Sequence, residues 1–183
     1  MALAQVKALM INQNTDDNLT FLILVGVELF NPSLQRNNLV ATLSTMGPQY
    51  VLKINLTVNS LPDTDWTNVF QVTIGGWMGT TGDRYPWLGL GTNGILLFKS
   101  DKNNKRNQKL LEFTPTLGTK YKIELRQVER SGTTFTEIFI DDTEMYSDVN
   151  TAPLTVENAM VYLSNNFRQS ADATVEYFYL ESY

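Results

Sequence analysis

The strongest constraint on this chain is a rhythm of two. In YVLKINLTVNSL, Tyr50 to Leu61, the residues Val51, Ile54, Leu56 and Val58 come close to alternating with Lys53, Asn55, Thr57 and Asn59. Successive side chains of a strand point to opposite faces, so a segment of this kind is a strand with one face in a core and the other in water. The pattern returns in WTNVFQVTI (Trp66 to Ile74), ILLFKS (Ile95 to Ser100), KLLEF (Lys109 to Phe113) and YKIELRQVE (Tyr121 to Glu129). It continues in TFTEIFID (Thr133 to Asp141), AMVYLS (Ala159 to Ser164) and TVEYFYLE (Thr174 to Glu181). Turn chemistry separates the runs, as in LPDTD, GTNG, TLGT, RSGT and DDTE. No segment carries a sustained apolar stripe of helical period, and VKALMI near the start is too short to decide. These features predict an all-β chain: an antiparallel two-sheet jelly-roll sandwich, a single domain over residues 1–183.

Two segments test that reading. LTFLILVGVELF, Leu19 to Phe30, is the most apolar stretch, but it falls short of the roughly 20 residues a membrane helix needs and carries Glu28. It is expected to be a buried strand, with no membrane insertion. DKNNKRNQK, Asp101 to Lys109, concentrates polar residues and is expected to be an exposed hairpin loop.

Composition narrows the chemistry. The chain has no cysteine and no histidine, which removes disulfides, thiolate nucleophiles, the serine–histidine–aspartate arrangement and the usual zinc ligands. Its formal net charge of -5 repels phosphate backbones, so nucleic acid is not an expected partner, whereas a divalent cation is compatible. MALAQVKALMINQNTDD lacks the apolar core and cleavage site of a signal peptide. The expectation is a secreted or extracellular protein whose signal is absent from this chain, with a cytoplasmic protein as the alternative. The sequons Asn18-Leu19-Thr20 and Asn55-Leu56-Thr57 are near the chance rate and decide nothing about compartment.

The order of segments carries a resemblance. WTNVFQVT, GDRYPWLGL, ILLFKS, TLGTKYKIELRQVE, TEIFIDDTEMYS and NAMVYLSNNFRQSADATVEYFYLES, in succession, resemble the concanavalin A-like lectin/glucanase superfamily, in particular laminin-G-like domains. The resemblance runs from about Tyr50 to Tyr183 and departs from the family twice. The family's Asp-Gly hairpin is Asp141-Asp142 here, and its Asp-Pro-Trp corner is Asn165-Asn166-Phe167. The resemblance implies curved sheets with ligands on the concave face or at the rim loops, and a calcium ion at a loop rim.

Three groups of residues are candidates for a site. In GGWMGTTGDRYPWLGLG, Gly75 to Gly91, glycines let a ligand approach the backbone, Trp77, Tyr85 and Trp87 offer flat faces for sugar rings, and Asp83 and Arg84 could bond hydroxyls. An ordinary turn with Trp87 sent into a core explains the same residues. In SNNFRQSAD, Asn165, Asn166, Phe167 and Arg168 gather amides, an aromatic ring and a guanidinium, while plain turn formation by the two asparagines is the alternative. Asp63, Asp65, Asp141 and Asp142 are the loop carboxylates that could hold Ca2+, although no continuous calcium loop is present.

Retaining glycoside hydrolysis needs two carboxylates about 5 Å apart, which the superfamily's enzymes present as Glu-x-Asp-x-x-Glu on one strand. The nearest segment here, EIFIDDTE from Glu137 to Glu144, spans a strand and its turn. The sequence therefore predicts no enzyme but a non-catalytic, lectin-like carbohydrate-binding module of an extracellular or adhesion protein, partnered by a glycan or glycoprotein. A protein-interaction domain or a structural subunit, including a homo-oligomer, is the alternative.

Overall fold

The computed structural model describes residues 5–15, 18–63, 65–76, 79–165 and 167–183, with side chains described from residue 26 onward. The strands are β1 (Gln5–Thr15), β2 (Asn18–Phe30), β3 (Leu39–Met46), β4 (Tyr50–Val58), β5 (Thr67–Thr73), β6 (Trp87–Leu90) and β7 (Leu96–Lys102). They continue as β8 (Lys105–Phe113), β9 (Lys120–Arg130), β10 (Thr133–Ile140), β11 (Thr143–Val149), β12 (Val156–Tyr162) and β13 (Ala173–Ser182). Two antiparallel sheets result. One has seven strands in the order β1-β2-β13-β4-β9-β10-β11, and the other has six in the order β3-β12-β5-β6-β7-β8.

Side-chain alternation explains how the sheets meet. Along β4, Tyr50, Leu52, Ile54, Leu56 and Val58 are buried while the residues between them are half-exposed. Leu52, not Val51, is thus the inward neighbour of Ile54, and the true period is stricter than the sequence reading gave it. On β9 beside it, Ile123 and Leu125 are buried against the same core. The facing sheet contributes Phe70 and Val72 from β5, Leu88 and Leu90 from β6, Leu96 and Phe98 from β7, and Val161 from β12. The all-β, two-sheet sandwich expected from the sequence is the fold observed. Each fully buried Leu, Ile or Phe contributes about 1.5–3 kcal/mol relative to exposure, so this shared layer is the main force holding the sheets together.

Three elements differ from the sequence reading. The polar run from Asp101 to Lys109 is a hairpin, but its loop is only Asn103-Asn104, both at positive φ, and the flanking residues belong to β7 and β8. Asp101 and Lys102 are buried there, because the asparagines turn the chain in two residues and leave the strands paired on both sides. LVATLSTM forms β3, and TEMYSDV forms β11, an edge strand with no buried residue. Asp141-Asp142 makes the tight left-handed turn between β10 and β11 that its composition predicts. Of the apolar segment Leu19 to Phe30, which forms β2, Val27 and Leu29 are in the core.

Candidate functional site

The inward face of the six-stranded sheet is core, so its outward face is the surface where side chains can meet a ligand. Register sets what stands there. Gln71 of β5 lies opposite Trp87 of β6, Trp87 opposite Lys99 of β7, and Lys99 opposite Lys109 of β8. One step along, Gly89 pairs with Leu97. Trp87 and Leu97 are buried without joining the core between the sheets.

Gly89 explains how an outward tryptophan becomes buried. The Trp87 ring lies over that glycine, and a Cβ there would come within 2.2 Å of the indole. From above, the Arg84 guanidinium sits 4.6 Å from the Trp87 ring centroid. At the side, Trp66 meets Trp87 edge to face with centroids 6.3 Å apart. These neighbours leave Trp87 only 2% exposed, whereas Trp66 is half-buried.

Trp66, Arg84, Trp87, Leu97, Lys99, Asn107 and Arg168 enclose a cavity of about 220 Å³ on this face. Its polar groups are held from behind. Arg84 Nη1 donates to Asn107 Oδ1 at 2.6 Å. Arg168 pairs with Asp65, and the backbone N–H groups of Phe167 and Arg168 donate to Asn165 Oδ1 at 2.9 and 3.2 Å. Asn165, fully buried, also donates to Gln71, which in turn donates to the Asp83 carbonyl. A chain of amides thus ties the 164–170 loop to the sheet and fixes where Arg168 stands. The Trp87 indole N–H is buried without a hydrogen-bond partner among the described residues, a deficit that typically costs about 1–3 kcal/mol.

The site's charge is positive although the chain's is not. Burial, then Arg168, pushes the Arg84 guanidinium down to about 10. Burial also lowers Lys99, helped by Arg84 and Lys109. Both shifts record cations crowded into a partly dry place.

The structure sorts the sequence candidates. Arg84, Trp87 and Arg168 meet in the cavity, and Asn165 supports it from beneath. Tyr85 is no platform for a sugar: it is fully buried, edge to face with Tyr50 at 5.4 Å, and its hydroxyl donates to the Leu154 carbonyl at 3.1 Å. Asp83 is equally buried, closed against Gly76 with its Oδ2 accepting from Thr80 N at 2.6 Å, so it shapes the loop rather than facing solvent. Trp87 does not offer the open face expected of it, because Arg84 covers the ring. Trp77 and Asn166 lie outside the described residues. Trp66, Lys99 and Asn107 escaped the sequence reading; Trp66 begins a recognised strand, but nothing local indicates that it faces Trp87.

The calcium candidates are dispersed. Asp65 is engaged by Arg168, Asp141 accepts from the Lys122 N–H at 2.8 Å, Asp142 pairs with Lys122 Nζ at 2.7 Å, and Asp63 is exposed. Among the described residues no group of three or more acidic side chains is placed to hold a metal ion. Glu137, the nearest approach to a catalytic carboxylate, is enclosed by Arg126 and Arg130 on the other sheet. A second cavity, of about 370 Å³, lies between Ile74, Gly82 and residues 154–158. It is larger, but no aromatic side chain and no cation lines it, so it offers a ligand less chemistry.

No protein-family model matches the sequence, and no curated protein does. Solved structures do match. A mutant of Trypanosoma rangeli sialidase displaying trans-sialidase activity aligns at 11% identity with a TM-score of 0.53, over 97% of this chain and 27% of that one. Trypanosoma rangeli sialidase aligns at 15% identity and a TM-score of 0.52, over 72% and 20%. The botulinum neurotoxin type G receptor binding domain aligns at 9% identity and 0.52, over 98% and 42%. The chain spans between 20% and 42% of the length of these three structures. What these likenesses show is the fold alone, an antiparallel two-sheet β-sandwich.

Proposed function

We propose that this chain is a non-catalytic carbohydrate-binding module that holds a sugar in the cavity between Trp66 and Trp87. One observation carries the reading: the half-buried Trp66, the buried Trp87 and the donor side chains of Arg84, Asn107, Lys99 and Arg168 line one cavity. Sugar rings present apolar C–H faces to aromatic side chains and hydroxyl oxygens to planar donors, so this set matches both halves of a saccharide. Nothing in the lining acts as a carboxylate acid or nucleophile, which favours binding over hydrolysis. The fold does not choose by itself, since it serves a sialidase and a receptor binding domain alike.

The test is a glycan array probed with the folded protein and with Trp66→Ala, in calcium and again in chelator. The reading predicts a defined glycan class bound by the wild type, a loss of about tenfold or more in the variant, corresponding to about 1.4 kcal/mol, and no effect of chelator. Silence of a folded wild-type sample across the array would contradict it and favour the protein-interaction alternative.

A further inference from the structure

The cavity discriminates by charge as well as by shape. Four cationic side chains belong to it or border it: Arg84 from the loop before β6, Lys99 on β7, Lys109 on β8 and Arg168 from the 164–170 loop. Acidic partners account for three of them. Arg168 pairs with Asp65, and Lys109 with Glu112 at 3.2 Å. Asp101 and Asp83 lie near Arg84, though the Asp101 carboxylate is already occupied by the N–H groups of Gly82 and Asn107, both at 2.6 Å. Lys99 is different. It lines the cavity, its strand neighbours are Trp87 and Lys109, and its ammonium has neither an ion pair nor a hydrogen bond among the described residues.

A half-buried ammonium between an indole and other cations is stabilised by an anion more than by a neutral hydroxyl. Resting on the carbohydrate reading above, we infer that the ligand is an acidic sugar whose carboxylate or sulfate sits against Lys99, with the ring against Trp66. Arg84 and Arg168 add attraction but are already held in place by Asn107 and Asp65, so they act as a fixed positive wall. Lys99 supplies the charge that the incoming anion neutralises. The chain's net charge of -5 makes this local reversal selective: an acidic glycan is repelled by the rest of the surface and attracted at one place.

Calorimetry on the full chain tests the inference with three matched probes: an oligosaccharide ending in glucuronic acid, the same chain with that carboxyl reduced to the alcohol, and the same chain sulfated on the alcohol. The acidic forms should bind at least tenfold tighter than the reduced form, and the advantage should shrink as salt is raised. Lys99→Met should collapse the acid-to-neutral ratio toward one. Lys120→Met, which removes the same charge from the other sheet where Lys120 pairs with Glu176, should leave the ratio intact. Which acidic form binds tighter identifies the anion. Equal binding of reduced and acidic forms would overturn the inference while leaving the carbohydrate reading in place. Failure of every sugar to bind, with the far-ultraviolet spectrum of a folded β protein, would overturn both.

Discussion

At the scale of the residue, the site depends on Gly89 and on what its missing side chain permits. The Trp87 indole occupies the space a Cβ would need, and such a Cβ would also come within 2.8 Å of the Thr67 carbonyl oxygen. Gly89→Ala should therefore push the ring off the sheet, destabilise the protein by about 1–3 kcal/mol, as overpacking does, and weaken sugar binding in parallel. Urea unfolding beside a binding titration would check it; an alanine variant of wild-type stability and affinity would contradict the packing described. Sequence reading picked out Arg84, Trp87 and Arg168 by chemical type. It could not see that Arg84 covers Trp87, or that Tyr85 and Asp83 turn inward, because those directions depend on a close approach of ring to backbone that no local pattern records. Trp66 went unmarked for the same reason: its partner lies 21 positions away in the chain, across a strand pair.

At the scale of the element, β4 and β9 were legible from their alternation, whereas β11, which has no dry face and reads as loop, and β3, a short run rich in threonine and serine, were not. The start of β8 is masked by its polar residues, which pair with β7 through backbone bonds that side-chain patterns do not encode. The β9–β10 pair carries a charge arrangement with a measurable consequence. Glu137 of β10 accepts from Arg126 Nε at 2.7 Å and from both terminal nitrogens of Arg130, with Arg126 over the Phe139 ring at 4.3 Å. Burial pushes the Glu137 carboxyl up, but the hydrogen bonds from Arg130 and Arg126 outweigh it and hold the group below its ordinary 4.5. A carboxyl whose folded pKa is depressed adds stability that is fully present above the unfolded value and is lost as pH falls through the folded one. Glu137→Gln should thus be less stable than wild type at neutral pH, and the gap should close as pH drops from about 5 to about 3. Urea midpoints across that range would show it, and a constant gap would contradict the ion pairing.

At the scale of the whole molecule, the two sheets divide the work. The seven-stranded sheet supplies half of the core, and the six-stranded sheet turns its outer face into a cavity whose lining comes from β6, β7, β8 and the segments holding Trp66, Arg84 and Arg168. The fold class was legible because hydrophobic alternation is a property of each strand by itself. The cavity was only half legible because it exists through sheet order and register, which join residues from Trp66 to Arg168 on one surface. The most direct test of the central claim follows the indole N–H signals of the chain's three tryptophans by nuclear magnetic resonance, assigned by substitution, during titration with a pool of oligosaccharides released from glycoproteins. Shifts of the Trp87 and Trp66 signals, saturating together with the amides of Lys99 and Arg168, are the result the account predicts. Saturable sugar binding that leaves both of those signals in place would show that the ligand sits elsewhere on the molecule.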